Sequence, residues 1–396
     1  MNLLFIQGGS RVRICENGKK YVDGNFNNNI WNRYKSYCSN LTIILRKCKG
    51  SFEEEQIKSK LNAIDEKILN LINVEDVYSP KMNFLDIKLK KNIRKVIEKN
   101  VRESDAVIIR SLGNFYTNTA LHYCKKYKKK YLIEVTGFAF EGLWYHSFLG
   151  KLVAWPREMY LRKNIKKAPY AVYVTEYALQ QRYPCENRSI GCSDVETNMI
   201  DEEELKRKND IKISKFKNRK KIKIGTAAFL DVKWKGQEDI IKAIYILKKN
   251  KICNFEYELI GTGKGIELKK LIDKYNLNDC VKIKGALKHE QVKDWLDQID
   301  IYVQPSYQEG LCRSIVEAMS RGCPVICTDI GGNSELISKE YLYPKKKINK
   351  FIEKLLLINA ENYSDISLTN FKAAKKYNKQ NLDKKRNEFY MNFINN

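Results

Sequence analysis

Short apolar runs alternate with amphipathic stretches along the chain, and the pattern is clearest in its C-terminal half. Asp300 to Gln304 is an apolar run that Pro305-Ser306 ends, and an apolar segment of helical period follows from about Cys312 to Arg321. Gly322 ends that segment, and Pro324 to Thr328 is the next apolar run. This succession predicts a strand, a helix and a second strand, which together form a parallel βαβ unit.

The same alternation predicts an α/β fold for the rest of the chain. In the N-terminal half it predicts strands at Leu3 to Gln7, Leu41 to Leu45, Ala106 to Arg110, Tyr131 to Val135 and Ala171 to Val174, and helices at Ile57 to Ile72 and Leu89 to Lys99. In the C-terminal half it predicts strands at Ile222 to Gly225, Glu258 to Gly261 and Val281 to Gly285, a helix from Gln237 to about Leu247, and a last helix from Tyr377 to Asn396. Because strands alternate with helices, we expect parallel sheets.

Length and composition indicate a globular protein with two domains. The 396 residues exceed one typical core, and 43% of them are hydrophobic. The eleven cysteines include no Cys-x2-Cys pair and there are three histidines, so neither a zinc site nor a disulfide framework is expected. The apolar stretch at residues 1–7 is too short for a signal peptide, and no run of about eighteen apolar residues exists. We therefore expect a cytoplasmic protein.

The net charge of +26 favours association with polyanions or anionic lipid headgroups. Lysine clusters at 125–130 and 206–221 are candidates for such attraction, and the second also has the composition of a domain linker. A lysine-rich composition whose side chains only solvate helix faces explains the charge equally well. Nothing in the sequence resembles a module that binds RNA or DNA, so nucleic acid is not an expected partner.

The loop and helix that follow Gln304 form a candidate anion site. The first helical turn has unpaired N–H groups that attract a phosphate or diphosphate, and Gly310 permits a close approach. Glu309 stays in the loop. Glu317 lies about a turn and a half into the helix, where its carboxylate can accept two hydrogen bonds from the vicinal diol of a ribose. Taken alone, two solvated glutamates on a surface helix would show the same spacing.

The surrounding order of motifs decides between these interpretations. Strand, Pro-Ser, Glu-Gly, helix with Glu, Gly-x-Pro-Val-Ile and Gly-Gly-x-x-Glu follow one another from Tyr302 to Glu335. This order resembles the nucleotide-sugar site of retaining GT-B glycosyltransferases of the family 4 type (glycosyl transferases group 1). The resemblance implies that Glu309 touches the transferred sugar and that Glu317 binds the nucleotide ribose.

Lys235, in the segment Trp234-Lys-Gly-Gln237, is similar to the diphosphate-binding lysine of that family. A lysine there places a compact positive charge against the leaving diphosphate. The family often has an arginine shortly before this lysine, whereas residues 228–231 contain none. Lys233 is a weak substitute.

The resemblance implies a larger donor site around the catalytic residues Lys235 and Glu309. Its other residues lie in three glycine-containing turns that follow strands and in the start of the helix: Gly8, Gly9, Gly261, Gly263, Ala286, Leu287, Gly310, Leu311, Ser314, Ile315 and Glu317. An ordinary turn also explains each glycine pair.

The resemblance also divides the chain into domains. Residues 1–205 would form a Rossmann-like domain that binds the acceptor, and residues 206–375 a Rossmann-like domain that binds the nucleotide-sugar. Residues 376–396 would form a helix that crosses back to the first domain. This is the GT-B architecture, with the two domains facing each other across a cleft.

Acceptor residues are sought in the first domain. Arg110, at the carboxyl end of a strand, is a candidate ligand of an acceptor phosphate, with a surface ion pair as an equal alternative. Glu141 and His146 lie in an aromatic segment after the next strand, as in a loop that stacks on sugars, although a histidine among aromatic residues is often structural. The aromatic and basic segment from Leu143 to Tyr160 is a candidate for contact with a bilayer surface.

The resemblance implies a retaining hexosyltransferase that uses neither a metal ion nor a cofactor, and the sequence has no Asp-x-Asp motif. It would move a hexose or hexosamine from a nucleotide-diphosphate sugar, with UDP favoured, to a saccharide acceptor linked to a lipid diphosphate. The product would be capsule, O-antigen or another surface polysaccharide, made at the cytoplasmic face of an anionic membrane. Two alternatives are a related GT-B nucleotide-sugar enzyme and a basic binding protein without activity. Glu309 and Glu317 argue against the binding protein, because a polyanion surface would not need two acids there.

Overall fold

The computed structural model describes residues 1–23, 26–58, 60–145, 148–195, 197 and 199–396. They form two units, each built around one sheet. The first unit contains, in chain order, β1 (Asn2–Ile14), β2 (Lys20–Val22), α1 (Asn28–Lys35), β3 (Asn40–Lys47), α2 (Glu54–Ile57), β4 (Asn62–Ala63), β5 (Asn70–Val74), a 3₁₀-helix (Lys81–Leu85), α3 (Ile87–Glu103), β6 (Ala106–Arg110), α4 (Phe115–Lys126), β7 (Lys130–Val135), α5 (Ala139–Trp144), α6 (Phe148–Lys166), β8 (Tyr170–Tyr173), α7 (Ala178–Arg182) and β9 (Arg188–Gly191).

The second part of the chain continues with α8 (Glu202–Lys217), β10 (Ile222–Ala227), a 3₁₀-helix (Lys233–Lys235), α9 (Gln237–Lys249), β11 (Phe255–Ile260), α10 (Ile266–Lys274), β12 (Val281–Gly285), α11 (His289–Gln298), β13 (Ile301–Gln304), α12 (Arg313–Ser320), β14 (Val325–Thr328), α13 (Asn333–Leu336), a 3₁₀-helix (Lys339–Tyr341), β15 (Leu342–Tyr343), α14 (Ile348–Leu357), α15 (Tyr363–Ala374), a 3₁₀-helix (Lys375–Tyr377) and α16 (Lys379–Asn395). None of the described helices combines the length and the apolar character needed to cross a bilayer.

The first sheet has the strand order β4-β2-β1-β6-β7-β8-β9, and β3 pairs with both β1 and β5. β2 and β4 form an antiparallel edge, and the other pairs between described strands are parallel. The second sheet has the order β12-β11-β10-β13-β14-β15 with parallel pairs. The predicted α/β fold with parallel sheets is therefore confirmed.

Residues of the central strands alternate between two apolar layers, because successive side chains of a strand point to opposite faces of the sheet. In β1, Leu3 and Phe5 pack in one layer with Ile43, whereas Leu4 and Ile6 pack in the other. Helices cover both faces of such a sheet, so its strands are apolar throughout rather than alternately polar. This is why apolar runs located them in the sequence.

The last helix, α16, packs on the first sheet although it follows the second in sequence. The hydroxyl of Tyr390 donates to Oε1 of Glu134 in β7, and the hydroxyl of Tyr34 in α1 donates to the same oxygen at 2.8 Å. Nη2 of Arg386 donates to the carbonyl of Ser193 at 2.7 Å. Helix α16 therefore contacts the first unit, while the predicted division into domains, with limits at residues 205 and 375, stays a prediction.

Two local predictions are wrong. Residues 57–72, predicted as a helix, end α2 and then form β4 and β5. Leu69 and Leu71 both enter the core at the two-residue spacing of a strand, and Leu71 pairs with Ile43, so sheet pairing overrides the helical pattern. The turn predicted at residues 8–10 lies inside β1, where the register against β3 shifts between Ile6 and Arg11. The glycines serve this irregularity of the strand instead of a turn.

The two units meet where the central strands of both sheets end. A Cβ placed on Gly310, which follows β13, would lie 2.5 Å from the carbonyl oxygen of Thr136, which follows β7. Glu335 of α13 accepts hydrogen bonds from the N–H groups of Glu176 at 2.7 Å and Tyr177 at 3.0 Å, and also from that of residue 178. The carboxylate of Glu335 therefore caps the start of α7 from the opposite unit.

Replacing Tyr390 by Phe should lower the free energy of unfolding by about 1–3 kcal/mol, because buried Glu134 loses a charge-assisted hydrogen bond. Urea denaturation followed by far-UV circular dichroism measures the change. Met391→Leu, at an exposed position of the same helix, is the control and should keep the wild-type midpoint. A wild-type midpoint for Tyr390→Phe would show that this bond does not anchor α16.

Candidate functional site

The predicted donor site is a loop at the end of β13 followed by α12. The loop begins at Pro305, and Cys312 precedes the first turn of α12. Gly236 brings Lys235 to this loop. Gly236 has a φ of 72°, and a Cβ placed on it would lie 2.0 Å from the carbonyl oxygen of Pro305. Only glycine fits there, because both the left-handed backbone and the contact exclude a side chain.

Lys235 and Glu309 form an ion pair in the middle of the site. Nζ of Lys235 lies 2.6 Å from Oε1 of Glu309, and the two side chains are 19% and 12% exposed. The hydroxyl of Ser306 donates to the same oxygen at 2.7 Å. Burial by itself lowers the pKa of Lys235, but the carboxylate of Glu309 outweighs burial, and the pKa of Lys235 is raised. The lysine is therefore charged at neutral pH.

A chain of hydrogen bonds leads from this pair into the buried strand. The hydroxyl of Tyr302 donates to Oε1 of Gln304 at 2.9 Å, and Nε2 of Gln304 donates to the hydroxyl of Ser306 at 2.8 Å. These three side chains are buried. Because buried and fully bonded side chains have few alternative rotamers, the chain fixes the direction in which Glu309 points.

The Gly-Gly-x-x-Glu segment packs directly on the loop. The N–H of Gly332 donates to the carbonyl of Gly310 at 2.7 Å, and a Cβ on Gly331 would lie 2.1 Å from the carbonyl oxygen of Glu309. On its other side, Gly310 contacts Thr136 of the first unit. The loop is thus held from two directions and forms one wall of the cleft.

Helix α12 places the remaining predicted residues at different depths. Glu317 and Ser314 are half-buried, and the hydroxyl of Ser314 donates to Oε1 of Gln304 at 3.3 Å. The side chain of Ile315 is fully buried, because the helical period turns it toward the sheet, and the contact of this residue with a donor stays a prediction. Leu311, just before the helix, lines a cavity between the two units.

The first predicted glycine loop of the second unit follows β11. Gly261 has a φ of 147°, and a Cβ on it would lie 1.8 Å from the carbonyl oxygen of Ala228. Gly263 packs against Asp231, whose carboxylate also accepts a hydrogen bond from the N–H of Lys264 at 2.9 Å. Residues 228–231, which lack the arginine that the family often has, therefore support the glycine loop through Ala228 and Asp231.

Ala286 and Leu287 lie in the neighbouring loop after β12. Ala286 is exposed, and half-buried Leu287 packs on the core of the second unit. The N–H of Gly261 donates to the carbonyl of Gly285 at 2.8 Å. This bond places the two glycine-containing loops side by side at the same edge of the sheet.

A cavity of about 480 Å³ lies between the first sheet and α12. Its charged and polar lining includes Ser10, Asp23, Arg33, Arg110, Asp194 and Arg313, and the predicted donor residue Gly9 also lines it. Gly8 lies next to it in β1 and packs against Asn114. Nε and Nη1 of Arg33 are buried without a hydrogen-bond partner among the described residues. Two unused donors of a buried guanidinium suit a ligand oxygen.

Arg110, predicted to hold an acceptor phosphate, is bound in an ion cluster. Its Nη1 donates to Oε2 of Glu134 at 2.5 Å, and its Nη2 donates to Asp194. Nη2 of Arg33 lies 3.9 Å from the same aspartate. Burial alone would raise the pKa of Asp194, but the two guanidinium groups lower it. Arg110 thus forms ion pairs, although in a mostly buried cluster instead of on the surface. It lines the cavity, carboxylates already balance its charge, and its role toward an acceptor stays a prediction.

Of the other two acceptor candidates, the structure describes only Glu141. Glu141 in α5 is half-buried, and its Oε1 is 3.8 Å from Nη2 of Arg182. Its neighbour Gly142 faces Gln308 of the second unit. His146 lies outside the described residues.

Arg313 is a cation that the motif comparison missed. It is the first residue of α12, is exposed and lines the cavity. Its positive charge acts to lower the pKa of Lys235, so the two cations are close enough to interact. Arg313 therefore brings a guanidinium to the site, although residues 228–231 contain no arginine.

Comparison with known proteins decides the family. The model of the glycosyl transferases group 1 matches residues 206–377. Protein CapJ of Staphylococcus aureus is 33% identical to the chain, and the match covers 99% of the chain and 96% of CapJ. The chain belongs to the glycosyl transferases group 1. This glycosyltransferase is also 39% identical to the amylovoran biosynthesis glycosyltransferase AmsK of Erwinia amylovora, over 26% of this chain and 27% of AmsK.

Solved structures share the fold of this glycosyltransferase. Sucrose-phosphate synthase from Thermosynechococcus elongatus matches with a TM-score of 0.70 at 13% identity, covering 100% of this chain and 99% of that chain. HepE of Anabaena in complex with UDP matches with a TM-score of 0.62 at 14% identity, covering 98% and 99%. The predicted GT-B fold, with two Rossmann-like parallel-sheet domains, is confirmed.

Removing the charge of Glu309 should lower the pKa of Lys235, because burial then acts on an ammonium group without its carboxylate partner. We expect Lys235 to titrate at lower pH in Glu309→Gln than in the wild type. NMR titration of ¹³C-dimethylated lysines measures this, with Lys235→Arg to assign the signal. Glu353→Gln, a distant exposed site paired with Lys350, is the control. An unchanged titration in Glu309→Gln would contradict the pairing.

Proposed function

We propose that this glycosyltransferase is a retaining enzyme that moves a hexose or hexosamine from a UDP-sugar to a saccharide acceptor in surface polysaccharide synthesis. The observation that carries the proposal is the ion pair between Lys235 and Glu309, 2.6 Å apart beside the start of α12. It combines a cation suited to a diphosphate with a carboxylate suited to sugar hydroxyls.

The relatives support the substrate classes. AmsK is named for amylovoran biosynthesis, and WcaL of Escherichia coli, 30% identical over 31% of this chain and 32% of WcaL, is named as a putative colanic acid biosynthesis glycosyltransferase. HepE was solved with UDP and with UDP-glucose. These names favour a polysaccharide product and a UDP-sugar donor.

In the proposed complex, binding of the donor separates Lys235 from Glu309, and each of the two side chains binds a different group of the ligand. The diphosphate binds Nζ of Lys235, Arg313 and the N–H groups in the first turn of α12. Glu309 accepts hydrogen bonds from the transferred sugar, and Glu317 accepts them from the ribose. The diphosphate then takes the place of the carboxylate as the counter-ion of Lys235.

The transfer step retains configuration, because the acceptor hydroxyl attacks the same face that the diphosphate leaves. The bond from the anomeric carbon to the diphosphate oxygen breaks, a bond to the acceptor oxygen forms, and the acceptor proton passes to the leaving diphosphate. Lys235, Arg313 and the start of α12 stabilise the developing negative charge. The described residues contain no group of three or more His, Cys, Asp or Glu placed to hold a metal ion, and the proposed step uses none.

We assign the acceptor saccharide to the cavity between the first sheet and α12. Asp23 and Asp194 offer hydrogen-bond acceptors to sugar hydroxyls, and the unused nitrogens of Arg33 offer donors. The proposed acceptor is linked to a lipid diphosphate, which places the enzyme on the cytoplasmic face of a membrane.

Calorimetric titration with UDP, GDP and ADP, and then with their sugar conjugates, tests the donor site. We expect UDP to bind, and Glu317→Gln to weaken UDP-sugar binding by about 1.5–3 kcal/mol, roughly 10- to 150-fold, because charge-assisted hydrogen bonds to the ribose are lost. Glu353→Gln is the matched control. Failure of every nucleotide to bind would favour a binding protein on this scaffold. Unchanged affinity in Glu317→Gln would refute the ribose assignment.

Lys235→Ala and Arg313→Ala should each lower the release of UDP from a UDP-sugar by about 10²- to 10³-fold, because each removes a charge that stabilises the leaving group. The assay uses a bacterial lipid extract as the source of acceptor, and circular dichroism confirms the fold. Lys233→Ala, at the start of the same 3₁₀-helix as Lys235, is the control. A large loss in Lys233→Ala with full activity in Arg313→Ala would mean that Lys233 replaces the family's arginine.

A further inference from the structure

Two segments of the first unit expose large apolar side chains. One is the 3₁₀-helix Lys81–Leu85 with the start of α3, and the other is the first three turns of α6. We call their most prominent side chains, all at least 60% exposed, the apolar surface: Leu85, Ile87, Phe148, Leu149, Leu152 and Trp155. Single exposed apolar residues are common on proteins, but the group on α6, at positions 148, 149, 152 and 155 of one helix, marks an interaction site.

Helix α6 has an unusual distribution of side chains for a surface helix. Its buried face is formed, at three- and four-residue spacing, by Gly150, Ala154, Glu158, Leu161 and Ile165. The opposite face of a surface helix is normally polar. In α6 that face is mainly apolar over the first three turns, with Lys151 as its exposed charged residue, and it becomes polar toward the end, where Lys163 and Lys166 are exposed.

The two segments are linked through the loop that follows β6. The ring of Tyr78 stacks on Phe84 with centroids 5.9 Å apart, and its hydroxyl accepts a hydrogen bond from the N–H of Phe115 at 2.8 Å. Gly113 packs against Arg157 of α6. These loops follow β5, β6 and β7, so the apolar surface lies at the same edge of the sheet as the cleft.

The charges around the apolar surface are mostly positive. The exception is exposed Asp86, between Leu85 and Ile87, whose carboxylate caps α3 by accepting a hydrogen bond from the N–H of Leu89 at 2.9 Å. The only acidic residue between positions 148 and 166 is Glu158, which is fully buried and bonded to Arg162 and Arg182. Exposed lysines flank the surface on both segments: Lys88, Lys91, Lys151 and Lys163. An apolar area bordered by lysines is complementary to hydrocarbon bordered by anionic headgroups. A second copy of the same face would oppose lysine to lysine, which disfavours self-association.

We propose that the apolar surface docks the protein on an anionic lipid bilayer, with α6 lying in the plane of the headgroups and its leucines and Trp155 inserted below them. This docking is independent of catalysis. Its link to the acceptor rests on the proposed function. A cavity of about 290 Å³, lined by Gly137, Leu143 and Arg157 among others, lies between α6 and the backbone that contacts Gly310. A lipid-linked acceptor would reach the cleft along this cavity.

Co-sedimentation of the full chain with vesicles tests the docking. Vesicles of phosphatidylcholine alone are compared with vesicles that also contain phosphatidylglycerol, at low and high salt. We expect binding to the anionic vesicles that weakens with salt. The double variant Leu149→Ser with Leu152→Ser should bind at least about 10-fold more weakly, because apolar surface no longer leaves water. The matched control is Leu356→Ser with Leu357→Ser, two exposed leucines of α14, and it should bind as the wild type does.

The outcomes separate this inference from the proposed function. Absence of binding to anionic vesicles, equal binding to both compositions, or an equal loss in the two double variants would overturn the docking. So would dimers that the Leu149→Ser and Leu152→Ser changes dissociate, since the occupant would then be a second copy. Leu85→Ser with Ile87→Ser replaces the first variant if circular dichroism shows misfolding. UDP titration of the same samples tests the donor site separately: UDP binding without vesicle binding overturns only the docking, and the reverse overturns only the proposed function.

Discussion

One buried carboxylate, that of Glu134, connects the parts of the molecule that define the cleft. It accepts hydrogen bonds from Tyr34 of α1, from Tyr390 of α16 and from Arg110 of β6. A charge buried in this way is tolerated only when donors surround it, so these elements must assemble together. Thr136, two residues further along the chain, contacts Gly310 of the opposite unit. The position of the cleft wall therefore depends on the pairing of Glu134.

The donor site is electrically balanced before any ligand arrives. Lys235 is already paired with the carboxylate of Glu309, and the hydroxyl of Ser306 donates a hydrogen bond that holds this carboxylate in place. Under the proposed function, an anion that draws Lys235 away leaves the carboxylate without its partner, which is costly in a mostly buried position. A ligand that carries both a diphosphate and sugar hydroxyls satisfies both groups. Under the proposed function, the pair would therefore favour the intact nucleotide-sugar over the nucleotide or the sugar alone.

The sequence predicted the second sheet well, because its strands are continuous apolar runs separated by glycines and prolines. It also located Lys235, Glu309 and Glu317, because they lie in a local order of motifs. The side chains that form the chain of hydrogen bonds from Tyr302 to Glu309 are close together in sequence. Even so, neither the strand period nor the motif predicts which of them are hydrogen-bonded to each other.

Long-range partners and exact faces escaped prediction. Arg33 and Asp194 meet Arg110 from distant parts of the chain, so no spacing reveals the cluster. Ile315 was assigned to the donor site, and the structure shows that its side chain points into the core. Residues 57–72 have apolar positions that suit a helix, and only pairing with β3 makes part of them a strand. In these cases tertiary contacts determine the structure, and the local sequence pattern alone does not reveal them.

The return of α16 to the first sheet has a consequence for synthesis of the chain. During translation the first unit emerges from the ribosome long before residues 379–395. At that stage Glu134 has Tyr34 and Arg110 as partners but lacks Tyr390. N-terminal domains generally fold first as they emerge, but the first unit of this protein cannot complete its core until α16 has been synthesised. Completion of the cleft therefore waits for synthesis of α16, and a product cut short before α16 would have a second sheet without a finished partner.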